Sequence, residues 1–295
     1  NRLSYGLENM LFADFVAIYG LDENNYEVSI DALAHFTINC SAEFAIRAFI
    51  VKYPKQTMAH MRTWALSENE HIRRLASEGC RPKLPWAVAL NDFNKNPNEV
   101  LEVLEILKND TSKYVMKSVA NNLNDISKNH PKTMIRLACR WLDESKCNEN
   151  GENDNSKEHN IKWILKHGCR TLLKQGNQQA LSLFGFVANH NITICDFSTT
   201  PNVVMGEILT FSFKVYSKIN EPLGKLRLEY IIYFARLNNK IGKKIFHISQ
   251  NEHKTQDIHI NKKHSFRKIS TRVYYKGIHK ISIVINGIEL ECKTF

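Results

Sequence analysis

The first two thirds of the chain repeats apolar residues at steps of three and four, the period of an amphipathic helix. The segment LENMLFADFVAIYG follows this pattern and ends at Gly20. The segment SAEFAIRAFIVKYP begins with a serine, a residue that caps helices, and stops at Pro54. The spacing therefore predicts a series of amphipathic helices.

The helical pattern recurs along the chain as a weak repeat. Pro54 opens one unit, Pro97 opens the next 43 residues later, and Pro131 opens a third. In a gapless overlay of the first two units, Arg74 falls on Lys117. Two helices per unit at a period of roughly 40 residues are typical of a HEAT-like solenoid, whose concave face suits an extended ligand.

A polar insertion interrupts the third unit at about residues 145–160. Its sequence, ESKCNENGENDNSKEHN, is nearly free of apolar residues. Because such a segment buries too little apolar surface to offset the entropy of ordering it, we expect a mobile loop here.

From about residue 191 the period changes to two, which is the alternation of a half-buried strand. The segment EILTFSFKVYS alternates Leu209, Phe211, Phe213 and Val215 with polar neighbours. Further strands are predicted at KLRLEYIIYFARL, KIFHIS, DIHI, STRVYY, HKISIVIN and IELECKTF. About seven or eight short strands predict an antiparallel, immunoglobulin-like β-sandwich, by architecture only because no Cys–Trp–Cys framework is present. The chain is thus predicted to be multidomain, α then β, with domains at 1–190 and 191–295.

The positive charge is concentrated in the second domain. The net charge is +10, of which residues 195–295 contribute +9, from 17 Lys/Arg and 8 Asp/Glu. A cationic module suits a polyanionic partner, such as nucleic acid or a membrane surface. The alternative is that the protein is basic without a specific partner, as many soluble proteins are.

The cysteines argue against a disulfide framework and against a metal cluster. There are seven, an odd number, and none forms a CxxC pair. Histidine and cysteine do not recur at zinc-ligand spacings, and no glycine-rich nucleotide-binding motif is present. No apolar run is long enough to span a membrane, and no signal peptide is recognisable. We therefore expect a cofactor-free and metal-free protein of a reducing cytosol.

The segment SEGCRPKLPW separates two helical patterns. Pro82 and Pro85 restrict the backbone and stop a helix, so a rigid turn presents Trp86 beside Arg81 and Lys83. Taken from the residues alone, Trp86 is either a packing residue between repeats or an aromatic presented to a ligand.

Two carboxylates each have a structural and a functional interpretation. Glu43 in SAEFAIR is either a helix-start acid paired with Arg47 or a site residue. Asp125 in NNLNDISK is either a partner for Lys128 or a site residue.

Two groups of cations are candidate phosphate contacts. One is a stripe at four-residue steps that no acidic residue interrupts, and the other is a basic loop, NKKHSFRKISTR, in the sandwich. Each is also explained as a solvated surface. The stripe contains Lys162, Lys166, Arg170 and Lys174, and the loop contains Lys262, Lys263, His264, Arg267, Lys268 and Arg272.

Several blocks resemble the AlkC branch of the AlkC/AlkD DNA glycosylases, bacterial HEAT-like-repeat enzymes that excise alkylated bases. The resemblance covers nearly the whole chain, keeps the order of the blocks, and implies further helices ahead of Asn1. Some members of this branch carry an immunoglobulin-like domain after the repeats. The blocks are SAEFAIRAFI, ENEHIRRLASEGCRPKLPW, SVANNLNDISKNHP, WILKHGCRTLLKQGNQQAL, GKLRLEYIIYFARLNNK and KKHSFRKISTRVYYKGIHKI.

The resemblance implies a monofunctional N-glycosylase of the bacterial cytoplasm, acting as a monomer on double-stranded DNA with alkylated bases. The expected lesions are cationic, N3-methyladenine first and N3-methylcytosine second. The family handles the lesion without rotating the base into a deep pocket, unlike the usual base-flipping enzymes. It also implies that the sandwich helps to encircle the DNA.

The resemblance further assigns roles to residues. Trp86 matches the family's catalytic tryptophan, and Glu43 and Asp125 match carboxylates at the lesion. A carboxylate stabilises the positive charge that develops on the sugar, or positions the attacking water. The electron-rich face of an indole attracts a cationic base. The expected DNA contacts are Arg74, Arg81, Lys83, Lys117, Lys166, Arg170, Lys174, Lys263, Arg267 and Arg272.

Two other classes of function compete with the glycosylase. One is a non-catalytic HEAT scaffold that binds DNA or protein, since solenoids often serve as interaction surfaces. The other is an extracellular adhesin-like module that uses the sandwich, which the odd cysteine number and the missing signal peptide argue against.

Overall fold

The computed structural model of the chain describes residues 9–146, 155–270 and 273–295. Its contacts divide the chain into two compact units, Asn1–Leu172 and Leu173–Phe295. The first unit is helical and the second is built on β-sheets, which confirms the predicted order of helices followed by an antiparallel β domain.

Ten helices form the described part of the first unit, and two short helices follow them. They are α1 (Met10–Tyr19), α2 (Tyr26–Phe36), α3 (Ile46–Lys52), α4 (Pro54–Trp64), α5 (Glu70–Gly79), α6 (Asn91–Lys95), α7 (Asn98–Leu107), α8 (Lys113–Asn129), α9 (Pro131–Lys146), α10 (Asn155–Gly168), α11 (Arg170–Lys174) and α12 (Gln178–Leu183).

Two sets of helices pack side by side. Helix α8 packs against both α5 and α10, while α4 packs against α7. Two of the prolines that open the predicted units are the first residues of α4 and α9, and Pro97 caps α7. Proline is well suited to a helix start because its missing N–H has no partner there in any case.

Helices extend further into the polar insertion than the sequence predicts. Helix α9 runs to Lys146 and α10 begins at Asn155, so both flanks of the segment 145–160 are helical. Glu158 lies in the first turn of α10, where the helix dipole favours an acid, and its ion pair with Lys162 measures 2.5 Å. Ile161 and Ile164 are fully buried and hold this helix against the unit. Residues 147–154 lie outside the described part.

The second unit contains seven described strands in two antiparallel sheets. One sheet has the order β1-β2-β5 and the other the order β4-β3-β6-β7. Alternate residues of the strands, such as Leu209, Phe211 and Phe213 on β2, fill the core between the sheets. The strands are β1 (Ile192–Thr199), β2 (Ile208–Ser217), β3 (Gly224–Ala235), β4 (Ile241–His253), β5 (Asp257–Ser265), β6 (Lys280–Ile285) and β7 (Ile288–Thr294).

Three details of this unit differ from the sequence-based expectation. Strand β1 was not predicted. The segment STRVYY is not a strand in its described part, because Val273–Tyr275 has no ladder partner, and Thr271 and Arg272 lie outside the described residues. The predicted basic loop begins instead as a strand, since its first five residues are the end of β5.

Residues 173–190 belong by their contacts to the second unit, although the alternating pattern starts only near residue 191. Helix α12 lies against the β6–β7 turn, where Gln178 Nε2 donates to the Asn286 carbonyl at 3.3 Å. Asn286 Nδ2 in turn donates to the Val187 carbonyl at 2.8 Å. The expected domains 1–190 and 191–295 thus differ from the contact-based units in where this connecting segment is placed.

Candidate active site

The loop that follows α5 is held in place by one buried arginine. Arg47 of α3 donates through Nη1 to the carbonyls of Gly79 and Arg81, at 2.9 and 2.8 Å. Its Nε and Nη2 both donate to the Val88 carbonyl, at 3.0 and 2.5 Å. Burial lowers the pKa of Arg47 to about 10, which still leaves the guanidinium charged at neutral pH. The two ends of the loop are therefore fixed to a single side chain.

Trp86 lies at the centre of this loop in an unusual conformation. Its φ is +65°, in the left-handed region that bulky side chains rarely adopt, and its side chain is 99% exposed. A residue packed in the core would not be 99% exposed, so the packing interpretation of Trp86 is wrong. Backbone strain of this kind costs about 1–3 kcal/mol and persists mainly at functional positions.

A second arginine joins this loop to Asp125. Arg81 Nε donates to Asp125 Oδ2 at 2.9 Å, and Arg81 Nη1 donates to Glu78 Oε1 at 2.6 Å. Asp125 Oδ1 accepts from Lys128 Nζ at 3.0 Å, and Glu78 Oε2 accepts from Ser118 Oγ at 2.6 Å. Each carboxylate of this network is buried and has two partners, as burial of a charge requires.

Glu43 is paired in the same manner with Arg74. The two Arg74 Nη atoms lie 3.3 and 3.4 Å from the Glu43 oxygens, and the guanidinium lies 4.7 Å from the centre of the Tyr114 ring. Burial would lower the pKa of Arg74, but the carboxylates of Glu43 and Glu78 outweigh it and raise the pKa. Both carboxylates therefore stabilise the positive charge of Arg74.

The site is thus a row of alternating charges that begins in the turn before α3 and ends on α8. It brings together the two predicted carboxylates and adds a third, Glu78, which the sequence analysis did not single out. A spacing of four and then three residues separates Arg74, Glu78 and Arg81, and it places them on one side of α5 and its C-terminal end. This spacing is the sequence signal that could have indicated Glu78. The row is Glu43, Arg74, Glu78, Arg81, Asp125 and Lys128.

The structure corrects several details of these sequence-based expectations. Glu43 lies in a turn before α3 rather than inside a helix, and its partner is Arg74, whereas Arg47 binds the loop carbonyls. The predicted Asp125–Lys128 ion pair is present. Arg81 was expected to contact phosphates, but its buried guanidinium is bonded to two carboxylates.

Of the remaining predicted DNA contacts in the first unit, two are exposed lysines. Lys83 Nζ donates to Asn129 Oδ1 at 3.1 Å, and Lys117 is exposed on α8. Lys117 and Arg74 therefore differ in their surroundings, although they occupy equivalent positions of the repeat.

The predicted cationic stripe does not run along a single helix. Helix α10 ends at Gly168 and α11 begins at Arg170, and the first lysine of the stripe is paired with Glu158. Arg170 is half-buried and donates to the His167 carbonyl at 2.8 Å and to Asn121 Oδ1 at 3.1 Å. Lys166 is half-buried on α10 and Lys174 is exposed at the end of α11.

The lowered pKa of His167 indicates a positive electrostatic potential at this position. Burial lowers its pKa, and the charges of Arg170 and Lys117 lower it further. Its ring stacks on that of Trp163, with the ring centres 5.2 Å apart. Lys117, His167 and Arg170 therefore form one basic cluster.

The predicted cations of the second unit lie on and after an edge strand. Lys263 is exposed on β5 opposite Thr210, and Arg267 is exposed just after that strand. His264 is buried, and its Nδ1 lies 2.8 Å from the Tyr230 hydroxyl, so it does not belong to a basic surface. Arg272 lies outside the described residues.

The described residues offer neither a thiol nucleophile in the loop nor a metal site. Burial raises the pKa of Cys80 to about 12, so its thiol stays protonated at neutral pH. No cluster of three or more His, Cys, Asp or Glu side chains suited to a metal occurs in the part of the chain that the structure describes. Within the same residues, no helix combines the length and apolar character that crossing a membrane requires.

Comparisons with known proteins match both halves of the chain. The family model described as DNA alkylation repair enzyme matches residues 24–146, and the model of the C-terminal Ig-like domain of the uncharacterised protein YhaZ matches residues 193–295. Uncharacterized protein YhaZ of Bacillus subtilis strain 168 is 40% identical over 284 residues, which are 96% of this chain and 74% of that protein.

A solved structure is similar over the same extent. It is the Pseudomonas fluorescens alkylpurine DNA glycosylase AlkC bound to DNA containing an abasic site analog. The match has a TM-score of 0.87 and 35% sequence identity, and covers 97% of this chain and 76% of that chain. The chain therefore belongs to the DNA alkylation repair enzyme family, in the AlkC-type branch that carries a C-terminal immunoglobulin-like domain.

Proposed function

We propose that this protein is a monofunctional DNA glycosylase that hydrolyses the N-glycosidic bond of cationic alkylated bases. N3-methyladenine is the first expected substrate and N3-methylcytosine the second. The proposal includes double-stranded DNA as the partner, a monomeric enzyme of the bacterial cytoplasm, and no cofactor. It is supported by membership of the DNA alkylation repair family and by the similarity to a DNA-bound AlkC.

One observation carries the proposal beyond family membership. A strained, fully exposed tryptophan lies on the same loop as Arg81, which bonds directly to a buried carboxylate, Asp125. A scaffold has no need to strain its backbone in order to expose an indole. An enzyme for cationic bases has such a need, because the aromatic face attracts a positively charged ring.

The reaction requires negative charge near the sugar. As the bond to the base breaks, positive charge develops on C1′ and the ring oxygen, and the carboxylate of Asp125 or Glu43 stabilises it. A carboxylate also orients or deprotonates the water that attacks C1′. The alkylated base leaves as a neutral molecule, so the departure needs no strong acid. The base remains outside any deep pocket in this mechanism, without base flipping.

The phosphate contacts in the proposal are the cations that the site leaves exposed or half-buried. Arg74 and Arg81 are excluded from this set, because their guanidinium groups hold carboxylates. The contacts of the first unit and its following helix are Lys83, Lys117, Lys166, Arg170 and Lys174. Lys263 and Arg267 are proposed to bind phosphates from the immunoglobulin-like domain.

The test is release of free bases from methylated duplex DNA, measured by mass spectrometry. The parent protein is expected to release N3-methyladenine. Asp125→Asn is expected to keep DNA binding and to slow release by about 100- to 1000-fold, because one preorganised charge at the sugar is lost. Thermal melting of Asp125→Asn establishes that it is folded at the assay temperature.

The matched control is Asp92→Asn, which neutralises an exposed aspartate that also has a lysine three residues later. Its rate is expected to equal that of the parent. A parent that binds DNA tightly and salt-dependently but releases no base would overturn the glycosylase and favour the scaffold. Equal rates for Asp125→Asn and the parent would remove Asp125 from the mechanism.

A further inference from the structure

The two oxygens of Asp125 have different kinds of partner. Oδ2 accepts from Arg81 Nε at 2.9 Å, and Arg81 Nη2 also lies 2.9 Å from it. Oδ1 accepts from Lys128 Nζ at 3.0 Å. The Asp125 side chain is only 2% exposed, so these two cations account for how its charge is held.

The two cations are anchored very differently. The Arg81 side chain is 8% exposed and is bonded to Glu78 as well as to Asp125, so its release would leave two buried acids without their guanidinium. The Lys128 side chain is 38% exposed and bonds to Asp125 from a position three residues along the same helix. An ion pair with one partly exposed partner opens more easily than a fully buried one, and lysine has a long flexible stem.

The charge of the site depends on where Lys128 is. The ion-paired set of Glu78, Asp125, Arg81 and Lys128 is formally neutral while Lys128 is in place. Arg47 and Arg170 add positive charge within electrostatic range of Asp125. A neutral cluster stabilises an oxocarbenium-like sugar poorly. When the ammonium group leaves, the cluster gains one net negative charge and Oδ1 is free to face the sugar.

We propose that Lys128 covers Asp125 only in the DNA-free protein, and that a backbone phosphate takes its ammonium group when DNA binds. Lys128 is then a positioning residue: it keeps the buried carboxylate paired at rest and exposes it only beside DNA. This inference rests on the proposed glycosylase function, which it deepens by linking DNA binding to the charge of the site.

The experiment uses the full chain with Lys128→Met, which keeps the apolar stem and removes the charge. Affinity for undamaged duplex DNA is measured at several salt concentrations, and base release is measured in single turnover at saturating methylated DNA. One phosphate contact contributes about 0.9 to the slope of log affinity against log salt. We expect Lys128→Met to lower the slope by about one.

Two comparisons isolate the effect. Lys95→Met removes a lysine that is also three residues after an aspartate, but both are exposed, and neither the slope nor the rate is expected to change. In an Asp125→Asn background the carboxylate is already neutral, so a further slope loss of about one on adding Lys128→Met is the loss expected for one phosphate contact. Lys128→Arg is expected to restore the slope.

Two results would overturn the proposal. The first is an unchanged salt slope in both backgrounds, which would mean that Lys128 does not move to a phosphate. The second is slower single-turnover release with an unchanged slope, which would make Lys128 a fixed structural partner of Asp125. Base release by the parent tests the proposed function separately, because the salt slopes are measured without catalysis.

Discussion

Arg47 and Val88 are 41 residues apart in the chain, yet the Val88 carbonyl accepts two hydrogen bonds from the Arg47 guanidinium, at 3.0 and 2.5 Å. The same guanidinium binds the carbonyls of Gly79 and Arg81 at the other end of the loop. The position of Trp86 is therefore set by a helix that does not contain it. Lysine cannot reproduce this, because it has no planar fork of donors.

We expect Arg47→Lys to lower the free energy of unfolding by about 1–3 kcal/mol, because loop carbonyls lose their partners in a buried site. Urea denaturation measures this change. Arg62→Lys is the control, since Arg62 forms an exposed pair with Glu102 and is expected to change stability by less than about 1 kcal/mol. Equal effects of the two substitutions would refute the role of Arg47 as the anchor of the loop.

Trp86→Gly separates a strained exposed residue from a packing residue. Glycine adopts a positive φ without strain, so the variant is expected to be as stable as the parent or more stable by about 1 kcal/mol. Removal of a packed tryptophan would instead cost about 3–5 kcal/mol. We expect base release to fall sharply at the same time, measured on methylated DNA. A variant that is destabilised, or one that is fully active, would contradict this account of Trp86.

Arg81→Gln tests whether Arg81 holds carboxylates rather than phosphates. Two buried acids would lose their guanidinium, so we expect a loss of about 3–5 kcal/mol in unfolding free energy. The salt dependence of DNA binding is expected to stay unchanged at a temperature where the variant is folded. Arg140→Gln is the matched control because Arg140 also bonds a carboxylate, that of Glu105, at a half-exposed position. A shallower salt slope for Arg81→Gln would restore Arg81 as a phosphate contact.

His167 is expected to couple DNA binding to proton uptake. Burial and the nearby Arg170 and Lys117 hold its pKa below the usual 6.5 in the free protein. A phosphate bound to those cations would offset their field and raise the pKa, so the complex would bind more protons than the free protein. Affinity should therefore rise as the pH falls from above 6.5 toward the lowered pKa, by up to about tenfold per pH unit. The folding stability of the free protein depends on pH in the opposite direction. Because the pKa of His167 is lowered in the folded protein, stability that is present above pH 6.5 is lost as the pH falls.

The measurement is DNA affinity by fluorescence anisotropy between about pH 6 and pH 8, the range in which histidine titrates. His167→Gln should remove the pH dependence, whereas His60→Gln, on a helix beside Glu27, should leave it in place. Identical profiles for the parent and His167→Gln would show that phosphate does not approach this cluster.

The sequence predicts the two halves well because both have a strong period. The three-and-four spacing of the helices and the alternation along β2 follow directly from which faces are buried. The predicted elements are wrong where that period is weak. Polar residues around Glu158 obscured the start of α10, and STRVYY resembles a strand in composition without having a partner strand.

The site residues also divide into those that the sequence indicates and those that it does not. A proline-bounded turn next to a tryptophan is visible in the sequence, so Trp86 could be singled out. Arg47 and Glu78 could not, because their roles depend on contacts with Val88 and Ser118, which lie 41 and 40 residues away in sequence. An arginine in sequence has the same appearance whether it binds a carboxylate or a phosphate, and this is why the carboxylate partners of Arg81 are not visible in the sequence.

Among the strands that the structure describes, β5 pairs with β2 alone, so its other side is an open edge of the sheet. Its register places Lys262 opposite Phe211, on the side that faces the core, while Ile260 and Ile258 before it are apolar. A strand from another molecule that added to this edge would have to take the Lys262 ammonium group out of water, which is unfavourable for a lone charge. This edge of the domain is thereby protected from edge-to-edge aggregation at high protein concentration.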